Sequence, residues 1–359
     1  MYRRELNTLK RVGRFRERKI FSEDLIDFAS NDYLGLSENR KSFKGACELV
    51  LDYRTLTPKA SILVNGYHEI HKRFEIFLSQ LNGFESGLVV GSGFLANISL
   101  IEALVRKRDV LFIDEEYHAS GILATRLLDK SQVVIFNHND PDDLEDKLDR
   151  IEANRKIIAI EGVYSMSGDI CKRDFFNLAN SYNALLIVDE AHSSGVIGKN
   201  LLGVFDYYNI APKENYIKMG TLGKAYGSYG AYILASKEII SFLENRAKPV
   251  IYSTAPSIFD TALALVNIEK ILNNSKKYRK KIEDRQKIVK DILGIDLKSL
   301  ILPIRVPTNQ KALKLQEALR VHGFVVGAIR QPTVKNPILR IIPRLGNSKK
   351  LLKSLLNHF

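Results

Sequence analysis

The chain has 359 residues, of which 45% are hydrophobic and 26% charged, a composition typical of a globular protein large enough for more than one domain. No apolar run reaches the roughly 18 residues that a membrane-spanning helix needs, and the basic N-terminal stretch lacks the apolar segment of a secretory signal. The only cysteines, Cys47 and Cys171, are too few for a disulfide framework or a zinc site, so we expect no metal and a reducing, cytoplasmic location.

The formal net charge of +13 raises the question of a nucleic-acid partner. The sequence contains no Cys/His finger, no aromatic RNA-binding strand and no low-complexity basic tail, so we expect none. The basic run Lys276–Lys281 lies in a helical pattern, where a solvated face is the simplest interpretation. The alternative is that the charge attracts an acidic partner, either a phosphorylated substrate or an acidic carrier protein.

Residues 1–42 are predicted to form an N-terminal arm and residues 43–248 a large domain. In the large domain, short apolar runs follow a helical pattern between Ile70 and Leu81 and then alternate with further helical segments. The runs predicted as buried strands are Leu88–Val90, Val110–Ile113, Val133–Phe136, Ile157–Ile160, Leu185–Val188 and Tyr229–Leu234. This alternation predicts an α/β architecture with a mainly parallel central sheet.

After a helical connector at Ser236–Lys248 the pattern changes, and residues 249–359 are predicted to form a smaller α+β domain. Its predicted strands are Leu300–Val306, Phe324–Ile329 and Leu339–Ile342. Its predicted helices are Gln310–His322 and Ser348–His358.

Polar residues follow four of the predicted strands, at the point where each strand ends. They are Gly91–Phe94, Asp114 with His118, Glu161 with Ser165, and Asp189 with His192. Ligands of parallel sheets bind beyond the carboxyl ends of the strands, so this recurrence predicts a site at that edge.

Asp189 and Lys224 are the two residues that indicate which chemistry this edge of the sheet supports. Asp189 closes a strongly apolar run, and a buried carboxylate needs a compensating partner. The simple alternatives are a helix N-cap for Asp189 and a solvated surface ammonium for Lys224. Glycines flank Lys224 and Thr221 precedes it, which would allow a bulky ring and a phosphate to approach. A protonated pyridine ring is a partner that an aspartate of this kind commonly binds.

A series of motifs is spread over most of the chain: Ser30–Leu36, Val64–Tyr67, Gly91–Asn97, Tyr117–Ser120, Glu161–Asp169, Val188–His192, Thr221–Lys224, Ile251–Thr254 and Ala328–Val334. In this order the motifs resemble those of the α-oxoamine synthases, pyridoxal 5′-phosphate (PLP) enzymes of fold type I. The resemblance implies a large domain with a mainly parallel sheet and a smaller C-terminal α+β domain. It also implies a homodimer with shared active sites.

Three residues are implied to be catalytic. Lys224 would carry PLP as a Schiff base and later act as general base, Asp189 would keep the ring nitrogen protonated, and His118 would stack on the ring. The implied cofactor contacts are Gly93, Phe94, Thr221 and, from the neighbouring subunit, Thr254 at the phosphate, and Ser165 and His192 at the ring oxygen. The implied substrate contacts are Arg16, Asn31, His118 and Arg340.

The resemblance is strongest to the members of the family that condense L-alanine with a pimeloyl thioester of coenzyme A or of acyl carrier protein in biotin biosynthesis. The chain departs from the family at Thr57–Leu63, where relatives carry a glycine-rich stretch, and at Ile338, where they often carry a second arginine. Three alternatives stay open: another α-oxoamine synthase acting on glycine or serine, another fold-type-I enzyme such as an aminotransferase, and a non-catalytic basic binding protein.

Overall fold

In a computed structural model that describes all 359 residues, the chain folds into short strands and helices that follow one another along the sequence. The strands are β1 (Ile26–Asp27), β2 (Ser86–Val90), β3 (Val110–Asp114), β4 (Val133–Phe136), β5 (Lys156–Glu161), β6 (Leu185–Asp189), β7 (Tyr216–Thr221), β8 (Ala231–Ala235), β9 (Leu302–Arg305), β10 (Phe324–Val325), β11 (Gly327–Ile329) and β12 (Ile338–Ile341). The helices are α1 (Arg3–Arg11), α2 (Arg40–Leu51), α3 (Glu69–Asn82), α4 (Gly93–Leu104), α5 (Ala119–Ala124), α6 (Pro141–Arg150), α7 (Asp174–Ser181), α8 (Val204–Tyr208), α9 (Lys237–Arg246), α10 (Lys248–Ile251), α11 (Ile258–Asn273), α12 (Ser275–Leu293), α13 (Asn309–Val321) and α14 (Lys349–Leu356). None of the helices is long and apolar enough to cross a membrane.

The chain forms two compact units, whose limits differ from the predicted domains. The larger unit contains residues 34–165 and 169–279, and the smaller contains residues 1–33, 166–168 and 280–359. The predicted boundary at residue 249 does not separate the units, because α11 packs against α2 and α3 inside the larger one. Residues 1–33 belong to the smaller unit since β1 pairs with β10 there.

A seven-stranded sheet forms the centre of the larger unit, in the order β2-β8-β7-β6-β5-β3-β4. All neighbours are parallel except β8, which runs antiparallel to β2 and to β7. Every residue of β3 and of β8 is buried, as expected for strands covered on both faces. The predicted α/β class with a mainly parallel sheet is therefore confirmed.

The strand β7 has no counterpart in the sequence prediction, because Lys218 interrupts its apolar pattern. The ammonium group of Lys218 is buried and lies 3.7 Å from the carboxylate of Glu190. It also donates hydrogen bonds to the backbone oxygen of Leu202 and, over 2.8 Å, to the side chain of Asn82. These partners compensate a charge that would otherwise be unfavourable in the sheet. The strand they stabilise ends at Thr221, three residues before Lys224.

The smaller unit contains a three-stranded antiparallel sheet in the order β11-β12-β9. The predicted strand Phe324–Ile329 divides in two at Val326, since β10 pairs with β1 while β11 pairs with β12. Phe28, Leu302 and Leu339 lie in the hydrophobic core of this unit. The predicted α+β character of the C-terminal region agrees with this arrangement.

Candidate active site

The carboxyl ends of the parallel strands bring several of the predicted residues together in the larger unit. In the register of the sheet, Glu161 at the end of β5 pairs with Asp189 at the end of β6, and Asp189 pairs with Met219 of β7. Thr221 ends β7 two residues further on. The sheet register therefore places two buried carboxyl groups side by side at this edge.

The carboxylate of Asp189 is buried and held by two donors. The side-chain amide of Asn97 donates to one oxygen over 3.0 Å, and the backbone N–H of Ala191 donates to the other over 3.0 Å. The hydroxyl of Tyr117 donates to the amide oxygen of Asn97 over 2.7 Å, which turns the amide NH₂ toward Asp189. A carboxylate accepts about four hydrogen bonds, so Asp189 retains capacity for a further cationic or N–H donor.

Glu161 is the second carboxyl group at this edge and is fully enclosed. Burial raises its pKa well above the usual value, the charge of Asp189 raises it further, and Lys224 and the N–H of Ser165 oppose the rise. One oxygen accepts the N–H of Ser165 over 2.8 Å, and the other is buried without a partner. Burial and the neighbouring Asp189 therefore both favour the protonated form of Glu161.

Lys224 and His192 meet within the larger unit, with 3.0 Å between the Lys224 ammonium nitrogen and Nε2 of His192. The loop that presents Lys224 is closed by two hydrogen bonds, from the N–H of Ser228 to the oxygen of Leu222 and from the N–H of Gly227 to the oxygen of Lys224. Gly227 has a φ of +58°, a conformation that favours glycine. The structure thus gives this glycine a role in shaping the loop that carries the lysine.

His118 lies half-buried at the start of α5 and caps that helix. Burial lowers its pKa, the nearby charge of Asp189 opposes the lowering, and Lys224 reinforces it. Nδ1 of His118 lies 2.6 Å from the hydroxyl of Ser120, and the same hydroxyl accepts from Asn97 over 3.0 Å. Through Asn97 the ring is connected to Asp189.

The N-terminus of α4 forms a candidate anion site. The hydroxyl of Ser92 caps the helix by accepting from the N–H of Leu95, which leaves the first N–H groups of the helix without a partner inside it. Gly93 approaches Thr221 so closely that a Cβ on it would lie 2.6 Å from the Thr221 methyl group. The hydroxyl oxygen of Thr221 is buried and has no partner. With Phe94 in the first turn, the predicted phosphate residues of this chain lie together.

Asp114, predicted to belong to the polar edge, is occupied by structural contacts instead. Its carboxylate accepts the hydroxyl of Tyr164 over 2.7 Å and the N–H of Asn139 over 2.8 Å. Burial by itself would lower the pKa of His138, but hydrogen bonds with Asp114 and Asp169 raise it to about 10. The charged His138 therefore fastens the loop around Asp169 to the end of β3.

Thr254 is the one predicted phosphate ligand that is expected to serve the neighbouring subunit. It is exposed in the loop between α10 and α11, and no side-chain hydrogen bond within this chain holds it. The loop itself is anchored by a hydrogen bond from the N–H of Ala255 to the oxygen of Ala60. Nearby Tyr252 is 80% exposed.

The predicted substrate residues lie in the smaller unit, in two groups. Arg340 is buried and donates to the side-chain oxygen of Asn31 over 2.8 Å, and Tyr33 lies 3.4 Å away as a further partner. Sequence reasoning did not assign a role to Tyr33, although it lies in the quoted motif beside Asn31.

The second group contains Arg16, whose guanidinium donates to the hydroxyl of Thr333 over 3.2 Å. The guanidinium of Arg330 donates to the backbone oxygen of Gly13 over 2.7 Å. Burial lowers the pKa of Arg330, and the charge of Arg16 lowers it further. Neither arginine is paired with a carboxylate in this structure, so the group is suited to an anion. Arg330 and Thr333 had no predicted role, although the motif Ala328–Val334 contains both.

Comparisons with known proteins agree with this arrangement. The model of the family described as aminotransferase class I and II matches residues 23–359. The 8-amino-7-oxononanoate synthase of Helicobacter pylori (strain ATCC 700392 / 26695) is 45% identical over 364 residues, covering 100% of this chain and 97% of that protein.

Solved structures are similar as well. The crystal structure of 8-amino-7-oxononanoate synthase from Francisella tularensis has a TM-score of 0.77 and 27% identity, covering 94% of this chain and 97% of that chain. A variant of serine palmitoyltransferase from S. paucimobilis with bound PLP-myriocin aldimine has a TM-score of 0.88 and 22% identity, covering 99% and 95%. At 22% identity, the likeness to serine palmitoyltransferase shows the fold alone.

The raised pKa of Glu161 leads to a prediction about stability. The folded chain keeps the proton of Glu161 at a pH where the unfolded chain has lost it, so its contribution to stability is complete below about pH 4.5 and declines as the pH rises toward the raised pKa. Glu161→Gln removes this titration. We expect the melting temperature of the cofactor-free variant, relative to the unmodified chain, to rise between pH 4 and pH 8.

The matched control is Glu48→Gln, which changes an exposed glutamate on α2 and should leave the difference flat. Differential scanning fluorimetry at several pH values measures both. A difference for Glu161→Gln that does not change with pH would mean that Glu161 is ionised in the folded chain.

Proposed function

Since this chain belongs to the family of class I and II aminotransferases, we propose that it acts as an 8-amino-7-oxononanoate synthase, a PLP-dependent acyltransferase of biotin biosynthesis. The family model alone does not separate aminotransferases from α-oxoamine synthases. The observation that carries the narrower proposal is the 45% identity, along the whole chain, to a protein with this activity. The resemblance to α-oxoamine synthases found in the sequence is thereby confirmed.

The residues at the sheet edge fit PLP at three separate points. Asp189 has acceptor capacity left for the protonated ring nitrogen, and Lys224 supplies an amine within 3.0 Å of His192. The buried, unpartnered hydroxyl of Thr221 beside Gly93 fits the phosphate group. We assign Phe94 to the phosphate as well, and Ser165 and His192 to the ring oxygen.

When bound, PLP supplies an electron sink for a carbanion next to the amino group of the substrate. In the proposed reaction L-alanine and a pimeloyl thioester give 8-amino-7-oxononanoate, carbon dioxide and the free thiol. The amine of Lys224 would hold the cofactor and would accept the proton from the Cα of the amino acid. Asp189 would hold a proton at the ring nitrogen, and His118 would cover one face of the ring.

We assign the carboxylate of L-alanine to Arg340, with Asn31 as its neighbour. A guanidinium binds a carboxylate through two parallel hydrogen bonds, which fixes the orientation of the amino acid. Asn31 and Tyr33 hold the Arg340 side chain in place before substrate arrives. Arg16, next to Thr333 and close enough to Arg330 to affect its pKa, is assigned to an anionic part of the substrates.

The proposal includes a homodimer with shared active sites. Thr254 makes no side-chain hydrogen bond in its own chain and is exposed next to the large apolar surface of Tyr252, which suits a residue that serves a neighbouring subunit. A cytoplasmic location also remains part of the proposal. The charge of +13 is consistent with an anionic donor, coenzyme A or acyl carrier protein.

The attachment point of the cofactor can be tested directly. Borohydride reduction of the PLP-loaded protein, followed by peptide mapping, should place the pyridoxyl group on Lys224, because its amine lies at the sheet edge beside His192. Lys224→Ala should abolish the label, and Lys237→Ala, which changes an exposed lysine, should retain it. A label on a different lysine would refute the assignment.

The substrates are tested by a kinetic comparison. We expect the highest kcat/KM with L-alanine and a pimeloyl thioester, and about tenfold or greater losses with glycine, since one methyl group in a fitted pocket contributes roughly that much. Mass spectrometry of the product identifies 8-amino-7-oxononanoate, and Lys224→Ala is the control without turnover. Preference for glycine with acetyl or succinyl thioesters, or for L-serine with a palmitoyl thioester, would instead assign the chain to another α-oxoamine synthase. Pimeloyl-CoA and pimeloyl carrier protein are compared in parallel to identify the donor.

A further inference from the structure

Asn97 lies at the junction of a buried hydrogen-bond network that joins Asp189, assigned to the ring nitrogen of the cofactor, to His118, assigned to one face of the ring. It is on the first turns of α4, and its side chain is 1% exposed. One amide hydrogen goes to Asp189 and the other goes to the hydroxyl of Ser120, each over 3.0 Å. The amide oxygen accepts from Tyr117 over 2.7 Å. Every polar atom of this amide is therefore used.

Which group donates in each hydrogen bond of this network follows from the groups at the two ends of the network. Tyr117 donates to the amide oxygen, and a flipped amide would point that oxygen at the carboxylate of Asp189, which only accepts. The NH₂ group must therefore face both Asp189 and Ser120. Because Ser120 accepts from Asn97, its own hydroxyl proton is free for Nδ1 of His118, 2.6 Å away.

The imidazole of His118 is consequently fixed in one form. Nδ1 also faces the backbone N–H of Ser120 over 3.2 Å, and an N–H group cannot donate to a protonated nitrogen. With two donors on Nδ1, the single ring proton resides on Nε2. The charged groups facing the ring are Asp189 on β6, which favours the imidazolium, and Lys224 after β7, which opposes it. Burial raises the pKa of Glu161, which lies beside Asp189.

We propose that Asn97 is a positioning residue with two effects on the site. Its amide orients the Asp189 carboxylate. Through Ser120, the same amide keeps His118 neutral with its proton on Nε2. His118 then always presents an N–H donor, on Nε2, toward a ligand. That second role rests on the proposed function, because it requires a substrate with an acceptor at this position. The hydrogen-bond arrangement itself does not.

The proposal is tested in the cofactor-free full chain by nitrogen NMR with ¹⁵N-labelled histidine. The signals of His118, among the seven histidines, are assigned from their loss in His118→Gln. At neutral pH we expect an unprotonated Nδ1 and a protonated Nε2. Ser120→Ala removes one of the two donors to Nδ1, so the midpoint for protonation of His118 should move to higher pH. Asn97→Asp should move it in the same direction, because the new oxygen competes for the hydroxyl proton of Ser120.

A second readout distinguishes the effect of Asn97 on Asp189 from its effect on His118. In the PLP-loaded protein, Asn97→Asp places an acceptor against Asp189, so the pH titration of the cofactor absorbance should shift and kcat should fall by about tenfold or more. Ser120→Ala leaves the bond between Asn97 and Asp189 in place, so this titration should stay near that of the unmodified protein. Ser99→Ala, which removes a buried and unpartnered hydroxyl from the same helix, is the control for general disturbance of α4.

Protonation of Nδ1 in the unmodified chain, or an unchanged His118 titration in both Ser120→Ala and Asn97→Asp, would overturn the proposal. Equal shifts of the cofactor titration in the two variants would overturn the separate role at Asp189. If the chain fails to bind PLP, the proposed function fails, and the NMR result on the cofactor-free chain still decides the role of Asn97.

Discussion

The buried carboxyl group of Asp189 is the constraint on which the rest of the site depends. An unpaired carboxylate in the protein interior is strongly unfavourable, so its surroundings have to compensate it. Here the compensation comes from Asn97 on α4 and from the N–H of Ala191, while burial and the neighbouring Asp189 raise the pKa of the adjacent Glu161. The remaining acceptor capacity of Asp189 is what makes the edge of the sheet suitable for a cationic ring.

The sequence reveals those parts of the site that follow from local pattern. Short apolar runs located β2, β3, β4, β5 and β6 within a few residues, and the glycines around Lys224 indicated an unusual lysine. The same pattern was misleading at Asp114, because a polar strand end does not reveal whether its partner is a ligand or, as here, Tyr164 and Asn139. It also missed β7, since the buried Lys218 resembles a surface residue until Glu190 is known to lie beside it.

What sequence could not supply were contacts between residues far apart in the chain. Asn97 and Asp189 are 92 positions apart, and Arg340 and Asn31 are 309 apart, so neither pairing has a local signal. The limits of the two units could not be predicted for the same reason. The change of sequence pattern near residue 249 does not reveal that α11 packs against α2. The residue types were visible in the motifs, but the order in which they donate and accept required the structure.

The most direct test of the central claim is the protonation state of the ring nitrogen in bound PLP. Nitrogen NMR of the protein loaded with PLP labelled with ¹⁵N at the ring position measures it, in the unmodified chain and in Asp189→Asn, which removes the charge while nearly preserving shape. We predict a protonated ring nitrogen across pH 6 to 9 in the unmodified protein and an unprotonated one in the variant. The same protonated signal in both proteins would contradict the role assigned to Asp189.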